Sequence, residues 1–191
     1  SGVISDVDVD FAGLDGIDLN ETAAGPSVML VNCYVHSIEP GFAAYRLRRG
    51  YFWLLNCNSL DGPLASGETT CVIVGQTTTG SLDATTSVAF AHFQNCNFES
   101  YRTLGVQFRG ASTGSFDECV WAGNIAGALP IKFIDGGAAR RGYLGATCQF
   151  GNSDDRVTNY PNAREIECPG LPPLTIVGPV GSFGAFAGVT D

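Results

Sequence analysis

The chain has 191 residues, a length that fits one domain with a hydrophobic core of its own. Charged residues make up only 15% of it and apolar residues 45%, a balance that excludes an intrinsically disordered chain. Nineteen acidic residues against ten basic ones give a net charge of −9, which argues against nucleic acid and anionic membrane surfaces as partners.

The two ends carry no pattern of a targeting or membrane segment. Asp6, Asp8 and Asp10 interrupt the first ten residues, so the sequence predicts no signal peptide. Residues 168–190 are uncharged, but their prolines and glycines would break a spanning helix, and we expect no membrane insertion. The seven cysteines include no C-x-x-C pair, so we expect reduced, buried thiols without a disulfide framework, a zinc site or another cofactor.

A short motif in which a polar residue precedes a cysteine recurs along the chain. Its five copies are residues 31–35, 55–58, 94–98, 117–121 and 146–150. Between copies lies an alternating apolar run of period two that is closed by glycine, which predicts a strand. The five runs end at Gly50, Gly75, Gly110, Gly136 and Gly170. Unequal repeats of this kind predict an all-β chain built as a single-stranded parallel β-helix, with a β-sandwich or jelly roll as the alternative.

Alternation within the motif predicts which side chains face the interior. Cys33 and Val35 fall inside on this reading, and later cysteines occupy the same position in their own coils. The preceding Asn is expected at a corner with unusual backbone angles. We place an N-terminal capping coil at residues 1–27, the coils at 28–170, and an apolar Gly/Pro-rich cap or subunit-contact segment at 171–191. Polar intervals around residues 59–70, 76–87 and 151–165 are predicted to project as loops.

The repeated Asn-Cys strand ends, at residues 32–35 and 95–98, and the strands closed by glycine resemble right-handed parallel β-helices of the pectin-lyase-like type. The resemblance covers residues 28–170. With its low lysine content and many Gly, Ser and Thr residues, the chain is most similar to the β-helical shafts of bacteriophage tailspikes and tail fibres. The resemblance implies a homotrimer on the virion surface, made in the host cytoplasm, that contacts other virion proteins and bacterial surface polysaccharide. Tailspike, tail fibre and head decoration domain are the roles it allows.

An enzymatic alternative is a polysaccharide depolymerase, a glycoside hydrolase or lyase on the same scaffold. Glycoside hydrolysis needs two carboxyl groups about 5 to 9.5 Å apart. The candidates are Asp117, Asp135, Asp154 and Asp155. Solvated turn carboxylates are the other interpretation of these residues, and because no catalytic set stands out we expect binding or structure first.

Aromatic and basic residues supply the candidate binding positions. Tyr51, Trp53 and Tyr101 are candidates for stacking on sugar rings, since an aromatic face matches the apolar face of a pyranose. For Trp53, packing in the core or in an interface is the alternative interpretation. Arg140 is a further candidate for binding glycan.

Three arginines crowd one predicted strand. Arg46 and Arg48 share a face, which leaves Tyr45, Leu47 and Arg49 for the other face. Contact with another subunit is the favoured interpretation, with binding of acidic sugars as the alternative.

Two further patterns have simple structural interpretations. Asp6, Asp8 and Asp10 alternate and would offer carboxylates to calcium, but a solvated strand face is favoured. Residues 110–114 match G-x-S-x-G around Ser112, yet both histidines precede Ser112 and no helical pattern follows it. A turn between coils is therefore expected there instead of an esterase.

Overall fold

The computed structural model describes residues 1–10, 13–19, 27–36, 39, 41–60, 70–75, 89–99, 101, 104–109, 112–122, 129–134, 142–144, 148–150 and 175–176. Every regular element in these ranges is a β-strand. The strands are β1 (Gly2–Ser5), β2 (Asp8–Val9), β3 (Ile17–Leu19), β4 (Ser27–Val31), β5 (Tyr34–His36), β6 (Ala43–Leu47), β7 (Gly50–Leu55), β8 (Asn58–Leu60), β9 (Thr70–Val74), β10 (Ala89–Gln94), β11 (Asn97–Glu99), β12 (Leu104–Arg109), β13 (Thr113–Asp117), β14 (Val120–Ala122), β15 (Leu129–Ile134), β16 (Gly142–Leu144), β17 (Gln149–Phe150) and β18 (Thr175–Ile176).

The strands form three parallel sheets, which the chain visits in turn. Sheet A has the order β1-β4-β7-β10-β13-β16-β18, sheet B has β17-β14-β11-β8-β5-β2, and sheet C has β15-β12-β9-β6-β3. From β1 to β14, each strand therefore pairs with the strand three elements further along the chain. All pairings between described strands are parallel, whereas a sandwich or jelly roll is built from antiparallel sheets. The protein is all-β with parallel sheets, an arrangement compatible with a parallel β-helix.

The interior is filled by stacked side chains of like size. In sheet A, Leu30, Leu54, Phe93 and Phe116 occupy one register position on successive strands and are 0 to 2% exposed. Phe93 and Phe116 stack with ring centroids 4.9 Å apart, and Trp121 of sheet B meets Phe116 at 5.0 Å. Parallel in-register strands bring equivalent residues together, so repetition in the sequence becomes a continuous core.

The predicted cysteines form a second interior column at the corner between sheets A and B. The buried members are Cys33, Cys57, Cys96, Cys119 and Cys148, all of them free thiols. Cys96 lies 3.3 Å from the carbonyl oxygen of Leu54 in the preceding coil, and Cys119 lies 3.5 Å from that of Phe93. Burial raises the pKa of the Cys96 thiol well above its ordinary value. The expectation of reduced, buried thiols is confirmed for these residues, and Cys168 lies outside the described residues.

The residue before Cys33, Cys57, Cys96 and Cys119 turns the corner with a positive φ. Asn32, Asn56 and Asn95 have φ of 52° to 53°, and their side chains form a ladder. Asn95 Nδ2 donates to Asn56 Oδ1 at 2.7 Å, and Asn56 Nδ2 donates to Asn32 Oδ1 at 3.2 Å. Asn tolerates the left-handed region and bonds neighbouring groups, which explains its place at this corner. Asp6 and Glu118 occupy the same corner with φ of 56° and 53°.

The Asn56→Ala variant is expected to unfold at a lower urea concentration, with a loss of about 2 kcal/mol in free energy of unfolding. It leaves a β-carbon in the left-handed region without the side-chain amide that lets Asn tolerate that conformation, and it removes two amide hydrogen bonds. Asn56→Gly should lose about half as much, because glycine adopts positive φ without strain. Asn58→Ala, two residues on and outside the ladder, is the matched control. Equal losses in the alanine and glycine variants would show that backbone conformation contributes nothing.

Two predicted boundaries differ in the structure. The acidic segment expected as one strand from residue 3 is two strands, β1 and β2, because the chain turns at Asp6 as it does at the asparagines. The loop expected around residues 59–70 has strand residues at both ends, in β8 and β9. Residues 76–87 and 151–165 lie outside the described ranges. The proposed boundaries at 27/28 and 170/171 stay predictions.

Candidate functional site

The outward side of sheet A presents an aromatic-rich surface with one carboxylate among its described residues. Side chains alternate along each strand, and since Phe52 and Leu54 are buried, Tyr51 and Trp53 point outward. Strand register then places the outward side chains of β1, β4, β7, β10 and β13 on one surface, which we call the sheet A face. Its residues are Val3, Ser5, Ser27, Met29, Val31, Tyr51, Trp53, Leu55, Phe90, His92, Gln94, Thr113, Ser115 and Asp117.

Tyr51 and Trp53 form the aromatic part of this face. Tyr51 is 52% exposed and Trp53 is partly exposed. Phe90 of the next strand lies beside Tyr51, with ring centroids 6.4 Å apart and planes tilted by 45°. Aromatic rings presented to solvent on a rigid sheet suit stacking against the apolar face of a sugar.

A surface cavity adjoins Trp53 on the side of the first coils. It has a volume of about 290 Å³ and is lined by Ser1, Gly2, Val3, Ser27, Met29 and Trp53. Val3 is 68% and Met29 37% exposed, so the lining is apolar with hydroxyl groups at its edge. The size and lining suit one sugar ring held against the indole.

On the other side of Trp53 lies a hydrogen-bonded polar pair. His92 and Ser115 are register partners on β10 and β13, and His92 is also the register partner of Trp53. His92 Nδ1 and Ser115 Oγ are 2.7 Å apart, and both residues are partly exposed. The sheet A face therefore combines an apolar platform with hydrogen-bonding groups one strand away.

Charge is sparse on this face although the chain is strongly acidic. Among its described residues, Asp117 is the one carboxylate, at the exposed end of β13. The acidic residues of the first coil lie elsewhere: Asp8 is in sheet B and Asp18 in sheet C. The sheet A face therefore carries little charge, and its one described carboxylate is negative.

The predicted stacking residues do not all reach solvent. Tyr51 and Trp53 lie together on the sheet A face, as alternation required. Tyr101 is only 4% exposed and belongs to the core, so its ring presents no face for stacking in this chain. Arg140 lies outside the described residues.

The arginines predicted for subunit contact are engaged within the chain. Arg46 is 2% exposed and its guanidinium binds Asp15 with both oxygens, at 2.5 and 2.8 Å. Arg48 binds Asp18 in the same bidentate manner, and this hydrogen bonding raises the pKa of Arg48. Arg49 is exposed. Contact of these residues with another subunit stays a prediction.

The candidate carboxylates are not assembled into a catalytic pair in the described part of the chain. Asp117 is exposed on the sheet A face, while Asp135, Asp154 and Asp155 lie outside the described ranges.

The aspartates considered for calcium have separate environments where the structure describes them. Asp6 Oδ1 accepts from Asn32 Nδ2 at 3.1 Å, and Asp8 Oδ1 lies 3.4 Å from His36 Nε2. Asp10 is exposed. No group of three His, Cys, Asp or Glu side chains in the described ranges is placed to hold a metal ion. Cys33 and His36 have two residues between them, a spacing found in zinc sites, but Cys33 lies in the core whereas His36 is partly exposed.

Ser112 lies in a turn between β12 and β13, as expected. Its side chain is fully buried, and its hydroxyl accepts a hydrogen bond from the Ala89 backbone N–H at 3.1 Å. A β-carbon on Gly75, which has φ of 91°, would overlap that hydroxyl. Strand β13 follows in place of the helix that a nucleophile elbow requires.

Among the described residues there is no helix that could span a membrane.

Sequence reasoning missed three members of the sheet A face. Phe90, His92 and Ser115 were not singled out, because nothing in their own sequence neighbourhood indicates function. The signal was the spacing of these residues from the next corner motif. Each lies an even number of residues before a motif cysteine that faces inward on the far side of the corner. Counting back from that corner would have placed them on one face with Trp53.

Comparison of the chain with protein families, with curated proteins and with solved structures finds no match. The fold and the sheet A face are therefore the observations from which function is argued.

Proposed function

We propose that the three sheets wind as a right-handed parallel β-helix and that this helix is part of a bacteriophage virion protein that binds host surface glycan. The visiting order of the sheets supports the winding, and crossovers between parallel strands of one sheet are overwhelmingly right-handed. The resemblance to tailspike and tail-fibre shafts supports the virion role and a homotrimer. The proposal requires that the trimer leave the sheet A face open to solvent.

The observation that carries glycan binding is the exposed Tyr51–Trp53 platform beside a 290 Å³ cavity. Strand spacing gives the platform a length. Neighbouring strands are about 4.8 Å apart, so the column from Val3 through Trp53 to Ser115 extends about 19 Å. That length accommodates several sugar units along the stack of strands. A rigid, preformed surface of this kind binds without a large cost in conformational entropy.

Binding without cleavage is the form of the proposal that the geometry favours. Hydrolysis of a glycosidic bond needs a second carboxyl group within about 9.5 Å of the first. The described residues of the sheet A face supply Asp117 alone.

The test is affinity electrophoresis through gels that contain bacterial capsular polysaccharides or lipopolysaccharide O-chains. The wild-type protein is expected to be retarded by at least one polymer, and Trp53→Ala to lose retardation, since the platform is removed. Tyr34→Ala is the matched control, because Tyr34 is 41% exposed on sheet B and outside the site. A parallel assay should detect no new reducing ends. Wild-type migration unchanged in every polymer, or cleavage of a polymer, would refute the proposal.

A further inference from the structure

The polar pair His92–Ser115 has a defined relation to the aromatic platform. Trp53, His92 and Ser115 occupy the same register position on β7, β10 and β13. Each is therefore about 4.8 Å from the next across the sheet. A pyranose stacked on the Trp53 indole would reach the neighbouring strand, where His92 lies.

The hydrogen bond between the two side chains determines what they offer to a ligand. Ser115 Oγ lies 2.7 Å from His92 Nδ1. When the serine hydroxyl donates to Nδ1, the neutral ring carries its proton on Nε2. The pair then presents one donor, Nε2–H, and one acceptor, the lone pairs of Ser115 Oγ. A sugar hydroxyl is both donor and acceptor, so the pair is complementary to it.

Charge on the same face indicates which sugars fit. No Arg or Lys lies among the described residues of the sheet A face, and Asp117 is on the same strand as Ser115, two residues away. Arg46 and Arg48, the basic residues considered for acidic sugars, are held by Asp15 and Asp18. A uronic or sialic acid would meet repulsion here without a compensating cation.

We propose that His92 and Ser115 form the specificity-determining end of the glycan site and select neutral hexose units by binding a hydroxyl of the sugar that stacks on Trp53. This inference rests on the proposed glycan binding and adds the sugar class and the residues that read it.

The inference is tested with purified neutral polymers, dextran, yeast mannan and galactan, and with acidic ones, polygalacturonate and colominic acid. The wild-type protein is expected to be retarded by a neutral polymer and by neither acidic one. Ser115→Ala and His92→Phe should each weaken that retardation about ten-fold, the loss of one hydrogen bond at about 1.4 kcal/mol. His36→Phe, which makes the same substitution on β5 of sheet B and outside the site, should leave it unchanged.

The outcomes separate the two proposals. If Trp53→Ala abolishes binding while Ser115→Ala and His92→Phe retain full affinity, glycan binding stands and the selecting role of the pair is overturned. Retardation by the acidic polymers alone also overturns it. If the wild-type protein binds no polymer, both fail. Nitrogen-15 NMR of His92 supplies a readout independent of ligand: a neutral ring protonated on Nδ1 contradicts the donor–acceptor arrangement. Release of acetate from an O-acetylated polymer would make Ser115 a nucleophile and overturn the binding role.

Discussion

Replacing Phe116 by alanine is expected to lower the free energy of unfolding by about 3–5 kcal/mol, a large part of the 5–15 kcal/mol of a typical domain. Phe116 is 2% exposed and lies where the columns of all three sheets meet. Its ring stacks on Phe93 at 4.9 Å and meets Trp121 edge-on at 5.0 Å and Phe108 at 6.0 Å. The cavity left by alanine cannot collapse, because stacked parallel strands hold the surrounding rings at fixed spacing.

The measurement is urea unfolding followed by tryptophan fluorescence, and Phe90→Ala is the matched control. Phe90 precedes Phe116 by one strand in sheet A but points outward, so the same deletion should cost less than about 1 kcal/mol. Similar losses in the two variants would contradict the assignment of inward and outward faces.

Replacing Arg46 by leucine is expected to be the second most damaging change, with a loss of about 3–5 kcal/mol. The Asp15 carboxylate is 8% exposed and would be left buried without its partner, which costs far more than the net worth of the ion pair. Asp15 also accepts a hydrogen bond from the Ala43 backbone at 2.8 Å, so the pair connects the first coil to β6.

Arg49→Leu removes the same charge from an exposed position and should change the free energy of unfolding by less than about 0.5 kcal/mol. The double variant Asp15→Leu with Arg46→Leu should recover part of the loss, because no charge then remains buried. If Arg46→Leu is as stable as Arg49→Leu, the ion pair does not connect the first coil to the rest.

The burial of Arg46 and Arg48 could not be predicted from the alternation of residues in the sequence. Alternation put Arg46 on the side of β6 opposite Tyr45 and Leu47, and Arg48 follows the end of the strand, yet β6 is buried on both sides. A strand of a sheet that is covered on both faces has no solvent side for alternation to identify. The partners, Asp15 and Asp18, precede them by about thirty residues, one full circuit of the three sheets.

The corner motif shows the opposite case. Asn-Cys repeats predicted a turn, an inward thiol and stacking in register, and the structure confirms all three at Cys33, Cys57 and Cys96. Tyr45, by contrast, was expected only to face away from the arginines. Its hydroxyl lies within hydrogen-bonding distance of the carbonyl oxygens of Cys33 and Asn58, and burial raises its pKa.

What the sequence by itself determined is the all-β class, the recurring corner motif and the interior column, because each depends on local alternation and on a motif that recurs. The sheet A face and its His92–Ser115 pair were decided only by the tertiary structure. Trp53, His92 and Ser115 are separated by 39 and 23 residues in the chain, and unequal loops hide their equivalence. Parallel pairing alone brings them onto adjacent strands, where a hydrogen bond and a binding surface become possible.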